Sequence, residues 1–242
     1  MQAAKEIKSN LKKQQVKKFP FRGGGAKLFI LGLVLISIVS SYAQEPPFYN
    51  DIQAFKQEDK KTPPSQNAIV FVGSSSFRKW TDVQSYFPGY TIINRGFGGS
   101  TLPDVIRYVK DIITPYHPKQ VVIYCGDNDL AASDTVTAAT VTDRFKQLFS
   151  LIRSGLPDTK ITYVSIKPSP SRENLMPEMA EANREIQGFL KTKPNTSFVD
   201  VYHLMLNANG KPMGSIFLDD SLHMNEKGYA IWQKAIQPHL VK

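Results

Sequence analysis

The chain has 242 residues, 41% hydrophobic and 21% charged, with 15 Gly, 16 Pro and one Cys, enough to bury one core of ordinary domain size. Fibrous, collagen-like and disulfide-stapled classes are excluded. The formal charge of +9 is concentrated at one end: without residues 1–43, Lys and Arg fall from 30 to 22 and Asp and Glu from 21 to 20, a net of +2 that speaks against a nucleic-acid partner.

The first segment is a basic stretch followed by Leu28–Ala43, LFILGLVLISIVSSYA, sixteen uncharged residues ahead of Gln44-Glu45-Pro46-Pro47. Basic region, apolar core and the small residues Ser41 and Ala43 follow the order of a secretory signal spanning residues 1–43, with cleavage expected after Ala43. The run is shorter than the ~20 apolar residues of a spanning helix. Its basic flank is long, and retention as an N-terminal anchor is the alternative. Either way the body is expected outside the cytoplasm, secreted or periplasmic, and at a membrane only if this segment is retained. No Cys lies near the cut to be acylated, and Cys125 alone makes no internal disulfide.

Residues 44–66 are polar and carry Pro46, Pro47, Pro63 and Pro64, the composition of an N-terminal surface arm or a short helix leading into a domain over 67–242. Apolar β-rich runs follow at Ala68–Val72, Thr91–Asn94, Gln120–Cys125, Lys160–Ile166 and Ser197–Val201. Helical spacing separates them at Leu102–Ile113, Ala138–Ile152, Pro177–Leu190 and, last, Glu226–Ile236. Strands this apolar, alternating with crossover helices, predict a five-stranded parallel sheet covered on both faces, an α/β/α sandwich. Ligands then bind outside the carboxyl ends of the strands.

Polar clusters fall at those ends: Gly73-Ser74-Ser75-Ser76, Asn94-Arg95-Gly96-Phe97-Gly98-Gly99-Ser100, Gly126-Asp127-Asn128-Asp129 and, late in the chain, Asp219-Asp220-Ser221-Leu222-His223. A serine nucleophile needs a base within reach and a third group to orient that base. Asp220 and His223 are three apart, so the carboxylate can accept a hydrogen bond from Nδ1–H while Nε2 faces a serine. Gly99 and Asn128 are of the types that donate to an oxyanion. Asp127 and Asp129 only accept, and are expected in turn or helix-cap bonds. His203 is the other candidate base; His117 and His239 read as surface residues. No third imidazole or thiol has ligand spacing near Asp219, Asp220 and His223, so no metal is expected.

These four blocks, in order over about residues 68–240, resemble those of the GDSL, or SGNH, hydrolase family. The resemblance implies a flavodoxin-like α/β/α sandwich, no metal or other cofactor, and ester hydrolysis. It makes Ser75 the nucleophile, His223 the general base and Asp220 its orienter, with Ser75 N–H, Gly99 N–H and Asn128 Nδ2 as the oxyanion hole. The likeness is greatest to small acetylhydrolases akin to platelet-activating-factor acetylhydrolase catalytic subunits. One departure is that the usual Gly-Asp-Ser-Leu reads Gly-Ser-Ser-Ser here, leaving three adjacent hydroxyls.

Phe77, Phe97, Trp80 and Leu130 lie near these blocks in sequence and are expected around an acyl pocket, with core packing the equal alternative for Trp80. Arg172 or Lys167, after the fourth strand, is expected to hold the alcohol part of the substrate. A compact domain without an obvious lid favours a short acyl group, and acetylated carbohydrate is the expected target. A lysophospholipase or lipid acylhydrolase, or a carbohydrate-binding domain without turnover, are the alternatives.

Overall fold

Five parallel strands, β1 (Ile69–Gly73), β2 (Ile92–Gly96), β3 (Gln120–Tyr124), β4 (Lys160–Val164) and β5 (Thr196–Val199), form one sheet in the order β2-β1-β3-β4-β5. They belong to a computed structural model that describes residues 45–242; the expected signal segment and its cleavage site lie outside the described residues. The three-layer sandwich predicted from the sequence is the fold observed, with strand ends moved by one or two residues.

The chain order of the helices is α1 (Tyr49–Lys61), α2 (Ser75–Arg78), α3 (Val83–Tyr86), α4 (Leu102–Arg107), α5 (Val109–Ile112), α6 (Asp127–Ala131), α7 (Ala138–Gly155), α8 (Met176–Lys191) and α9 (Glu226–Ile236). Alternate strand residues feed two separate cores, as the period of two in a strand requires. Val70, Val72, Val121, Ile123, Ile161 and Tyr163 pack with α4, α5, α7 and α8. Ile69, Phe71, Val122, Tyr124 and Val164 pack on the other face with Phe77, Trp80, Tyr229 and Trp232.

Sequence sets the helix ends. Thr137 caps α7 by accepting from Thr140 N–H (3.4 Å), and Asn225 caps α9 by accepting from Lys227 and Gly228 N–H (3.0 and 3.3 Å). The single helix expected over Leu102–Ile113 is instead α4 and α5, broken at Tyr108, whose hydroxyl donates to Pro47 O at 2.6 Å. Residues 49–61 are a helix laid on the domain. It buries Ile52 and is held by ion pairs of Asp51 with Arg78, Lys56 with Asp111 (2.5 Å), and Glu58 and Asp59 with Arg95, which is nearly fully buried.

The parallel register levels the strand ends, so that Gly73 stands beside both Gly96 and Tyr124. Gly73 has φ +140°, and a Cβ there would lie 1.8 Å from Tyr124 O; one on Gly96 would lie 2.5 Å from Arg78 N. Only residues without side chains let β1 end and α2 start in this space. Gly73→Ala is therefore expected to lose about 2–4 kcal/mol of stability, combining backbone strain with overpacking, measured as a lower urea midpoint.

Candidate active site

β1 delivers Ser75 to the first turn of α2, at the carboxyl edge of the sheet. Ser75 Oγ donates to His223 Nε2 at 3.0 Å, and His223 Nδ1 donates to Asp220 Oδ2 at 2.6 Å. Asp220 Oδ1 accepts the N–H groups of Leu222 and His223 at 3.0 and 2.8 Å. This turn is closed by Leu218 N–H on His223 O (2.7 Å), with Ser221 left-handed at φ 54°. The His223 side-chain bond, then the backbone donors, hold the Asp220 carboxyl well below the usual carboxylate range. Asp220 is therefore ionised at any pH where the imidazole is neutral, which fixes the tautomer that leaves Nε2 free to accept.

Of the three adjacent hydroxyls only Ser75 reaches the imidazole; Ser74 and Ser76 are buried, at 0% and 2% exposure. Gly98 and Gly99 curl past Ser75. A Cβ built on Gly98 would sit 3.9 Å from that of Ser75, and Gly99 has φ +83°. Among the described residues the N–H groups of Ser75 and Gly99 have no protein acceptor. Asn128, on α6, donates from Nδ2 to Ser100 O at 3.0 Å and accepts on Oδ1 from Arg172 Nη2 at 2.9 Å.

The expectations for an acyl pocket and for the substrate alcohol are corrected. Phe77 and Phe97 have no exposed surface and do not wall a pocket. Phe77 lies two residues beyond Ser75 on a helix, about 200° around its axis, so it points into the sheet, against Phe71 and Trp232 (ring centroids 5.0 and 5.9 Å). Phe97 packs between Phe48 and Tyr108 (5.2 and 6.3 Å). Leu130 is likewise buried, and Trp80 takes its core alternative, stacked on Tyr229.

Arg172, expected on the substrate alcohol, is engaged by protein: besides Asn128, its Nη1 lies 3.0 Å from Asp127 Oδ2. Asp129 accepts from Leu102 N–H at the start of α4 (2.9 Å), a cap as expected, and also pairs with Arg144 (2.7 Å). His203 donates to Asp200 (2.7 Å) with its side chain 75% exposed and reaches no serine; His239 is half-buried rather than on the surface. Among the described residues no cluster of three or more His, Cys, Asp or Glu could hold a metal.

Lys167, the other residue expected on the substrate alcohol, is buried beneath the site instead. Its side chain is 1% exposed, its Nζ is 3.9 Å from Asp127 Oδ2, and it lies over the Phe217 ring. Burial pushes this ammonium down to about 8, against the smaller opposing pull of Asp127. Its burial is not marked by local spacing, because Asp127 and Phe217, which enclose it, are distant from it in sequence.

An open parallel sheet with a serine, an imidazole and a carboxylate in relay outside its carboxyl edge is the construction of a hydrolase. Residues 68–231 match the GDSL-like Lipase/Acylhydrolase family. The fold is shared with a protein from Streptococcus pneumonia provisionally described as a platelet activating factor (TM-score 0.69, 19% identity, 79% of this chain and 92% of that one). It is shared too with a GDSL-like lipase from Bacteroides thetaiotaomicron (0.67, 20%, 78% and 96%) and an acetylxylan esterase from Geobacillus stearothermophilus (0.58, 15%, 72% and 94%). None of the curated proteins matches the chain. The chain belongs to the GDSL-like lipase/acylhydrolase family and is a carboxylic ester hydrolase.

Lys167 makes a test of the site's electrostatics. Between about pH 8 and the unfolded lysine value of about 10.4, the unfolded chain binds a proton that the folded one has shed, so this group's contribution to stability rises with pH. Lys167→Met keeps Asp127 paired with Arg172 and is expected to be more stable than wild type by about 1–3 kcal/mol at pH 7. That advantage should shrink toward pH 10 in urea titrations.

Proposed function

We propose that the protein is a short-chain serine esterase that removes acetyl groups from carbohydrate outside the cytoplasm. The observation that carries the catalytic part is the continuous relay from Ser75 Oγ through His223 to Asp220. Ser75 Oγ attacks the ester carbonyl as His223 Nε2 takes its proton. The oxyanion is met by the N–H groups of Ser75 and Gly99 and by Asn128 Nδ2. His223 then protonates the departing alkoxide, leaving an acyl-Ser75 that water cleaves by the same sequence in reverse.

The short acyl group is supported by the phenylalanines nearest the serine in sequence, which are sealed in the core and offer no apolar channel. Carbohydrate as the alcohol is supported by the similarity to an acetylxylan esterase, and export by the signal pattern of residues 1–43.

Hydrolysis of p-nitrophenyl acetate, butyrate and octanoate tests the reading. Acetate should turn over fastest, Ser75→Ala should abolish the reaction, and Asn128→Ala should cost about 2.7–4 kcal/mol of transition-state stabilisation. Preference for octanoate would move the substrate to lipids, and sugar binding without any hydrolysis would make the domain a binding module. In the cell, the exported protein should begin at Gln44 by N-terminal sequencing.

A further inference from the structure

The guanidinium of Arg172 is forked over two consecutive residues. Nη2 donates to Asn128 Oδ1 at 2.9 Å, and Nη1 forms an ion pair with the buried Asp127 Oδ2 at 3.0 Å, close but without hydrogen-bond alignment. The other end of the Asn128 amide donates to Ser100 O at 3.0 Å. A carboxamide has one acceptor oxygen and two N–H donors. With the oxygen held by Arg172 and one N–H by Ser100, the amide cannot flip without facing N–H against guanidinium and oxygen against carbonyl. One N–H remains uncommitted. A flipped amide would turn its oxygen toward a developing oxyanion and repel it.

Arg172 reaches this position because the 3₁₀ turn Pro170–Leu175 is broken at Arg172 itself, where φ is −126° and ψ 29°. The neighbouring Ser171 N–H donates to Ser221 O at 3.1 Å, inside the turn that carries Asp220 and His223. One loop after β4 thus grips the amide on one side and the acid–base turn on the other.

We propose that Arg172 is a positioning residue: by clamping Asn128 Oδ1 it fixes the orientation in which Asn128 Nδ2 serves the oxyanion, with Asp127 anchoring the clamp. The substrate alcohol is not its partner. The hydrogen bond from a cation also polarises the amide, making its N–H groups better donors. The inference rests on the esterase reading above.

A double-mutant cycle on the full chain tests it, with kcat and KM for p-nitrophenyl acetate measured in Arg172→Met, Asn128→Ala and the double variant. Arg172→Met should lower kcat about tenfold, part of the ~10²–10³ that a whole oxyanion donor contributes, with KM changed by no more than about twofold. In the Asn128→Ala background the same change should lower kcat no further. Arg172→Lys keeps a cation beside Asp127 but lacks the planar fork. It should hold its melting temperature while losing kcat toward the Met variant, and its cycle with Asn128→Ala replaces the first if Arg172→Met does not fold. Equal losses of kcat in both backgrounds, or a raised KM at unchanged kcat, would overturn the clamp. Wild-type kcat in Asn128→Ala alone would instead remove the esterase reading of Asn128, a result distinct from an additive cycle.

Discussion

The site depends on a close approach between two strand ends. Gly73 comes so near the Tyr124 carbonyl that no Cβ fits, and Ser74 N–H donates to that same oxygen at 3.0 Å. β1 is thereby pinned to β3 at its last residue and forced to turn at once into α2. Ser75 is placed by the backbone of the central strands rather than by side chains around it. The other parts arrive by the same route: in a level parallel sheet each βα connection emerges on one edge, so Ser75 meets Gly99, 24 residues on, and His223, 148 residues on.

The polar groups behind the serine are not independent. Asp127 holds Arg172 and lies near Lys167; Arg172 holds Asn128; Ser171 holds the turn with His223. A buried ammonium and a partly buried guanidinium around one carboxylate leave excess positive charge just under the oxyanion side of the site, next to the ionised Asp220. An arrangement with a desolvated ammonium is costly to folding, and such costs concentrate at functional sites.

The architecture was readable because its signals are local. Apolar β-rich runs, helical spacing between them, and polar clusters just after the strands all lie within short windows, and the resemblance of four ordered blocks tied them together. Direction was not readable. Phe77 is adjacent to the serine in sequence yet faces the opposite way, because two helical positions differ by about 200°. Long-range pairing was not readable either. The segment YNDIQAFKQEDKK has few apolar residues to mark it as packed, and it is fixed by Arg95, 36 and 37 residues away from Asp59 and Glu58. Arg172 was placed at the right edge of the sheet with the wrong partner, since 44 residues separate it from Asn128.

Gln120, at the first position of β3, is wholly buried. It donates to Thr162 Oγ1 and His239 O (2.7 and 2.9 Å) and accepts from Val241 N–H (2.9 Å). The last residues are thus sewn to the amino-terminal pole of the sheet, a full strand length from the edge where Ser75 and His223 stand. Attached to a solid support through Lys242, the domain would present its catalytic edge outward, open to a polymer too large to diffuse between enzyme and surface.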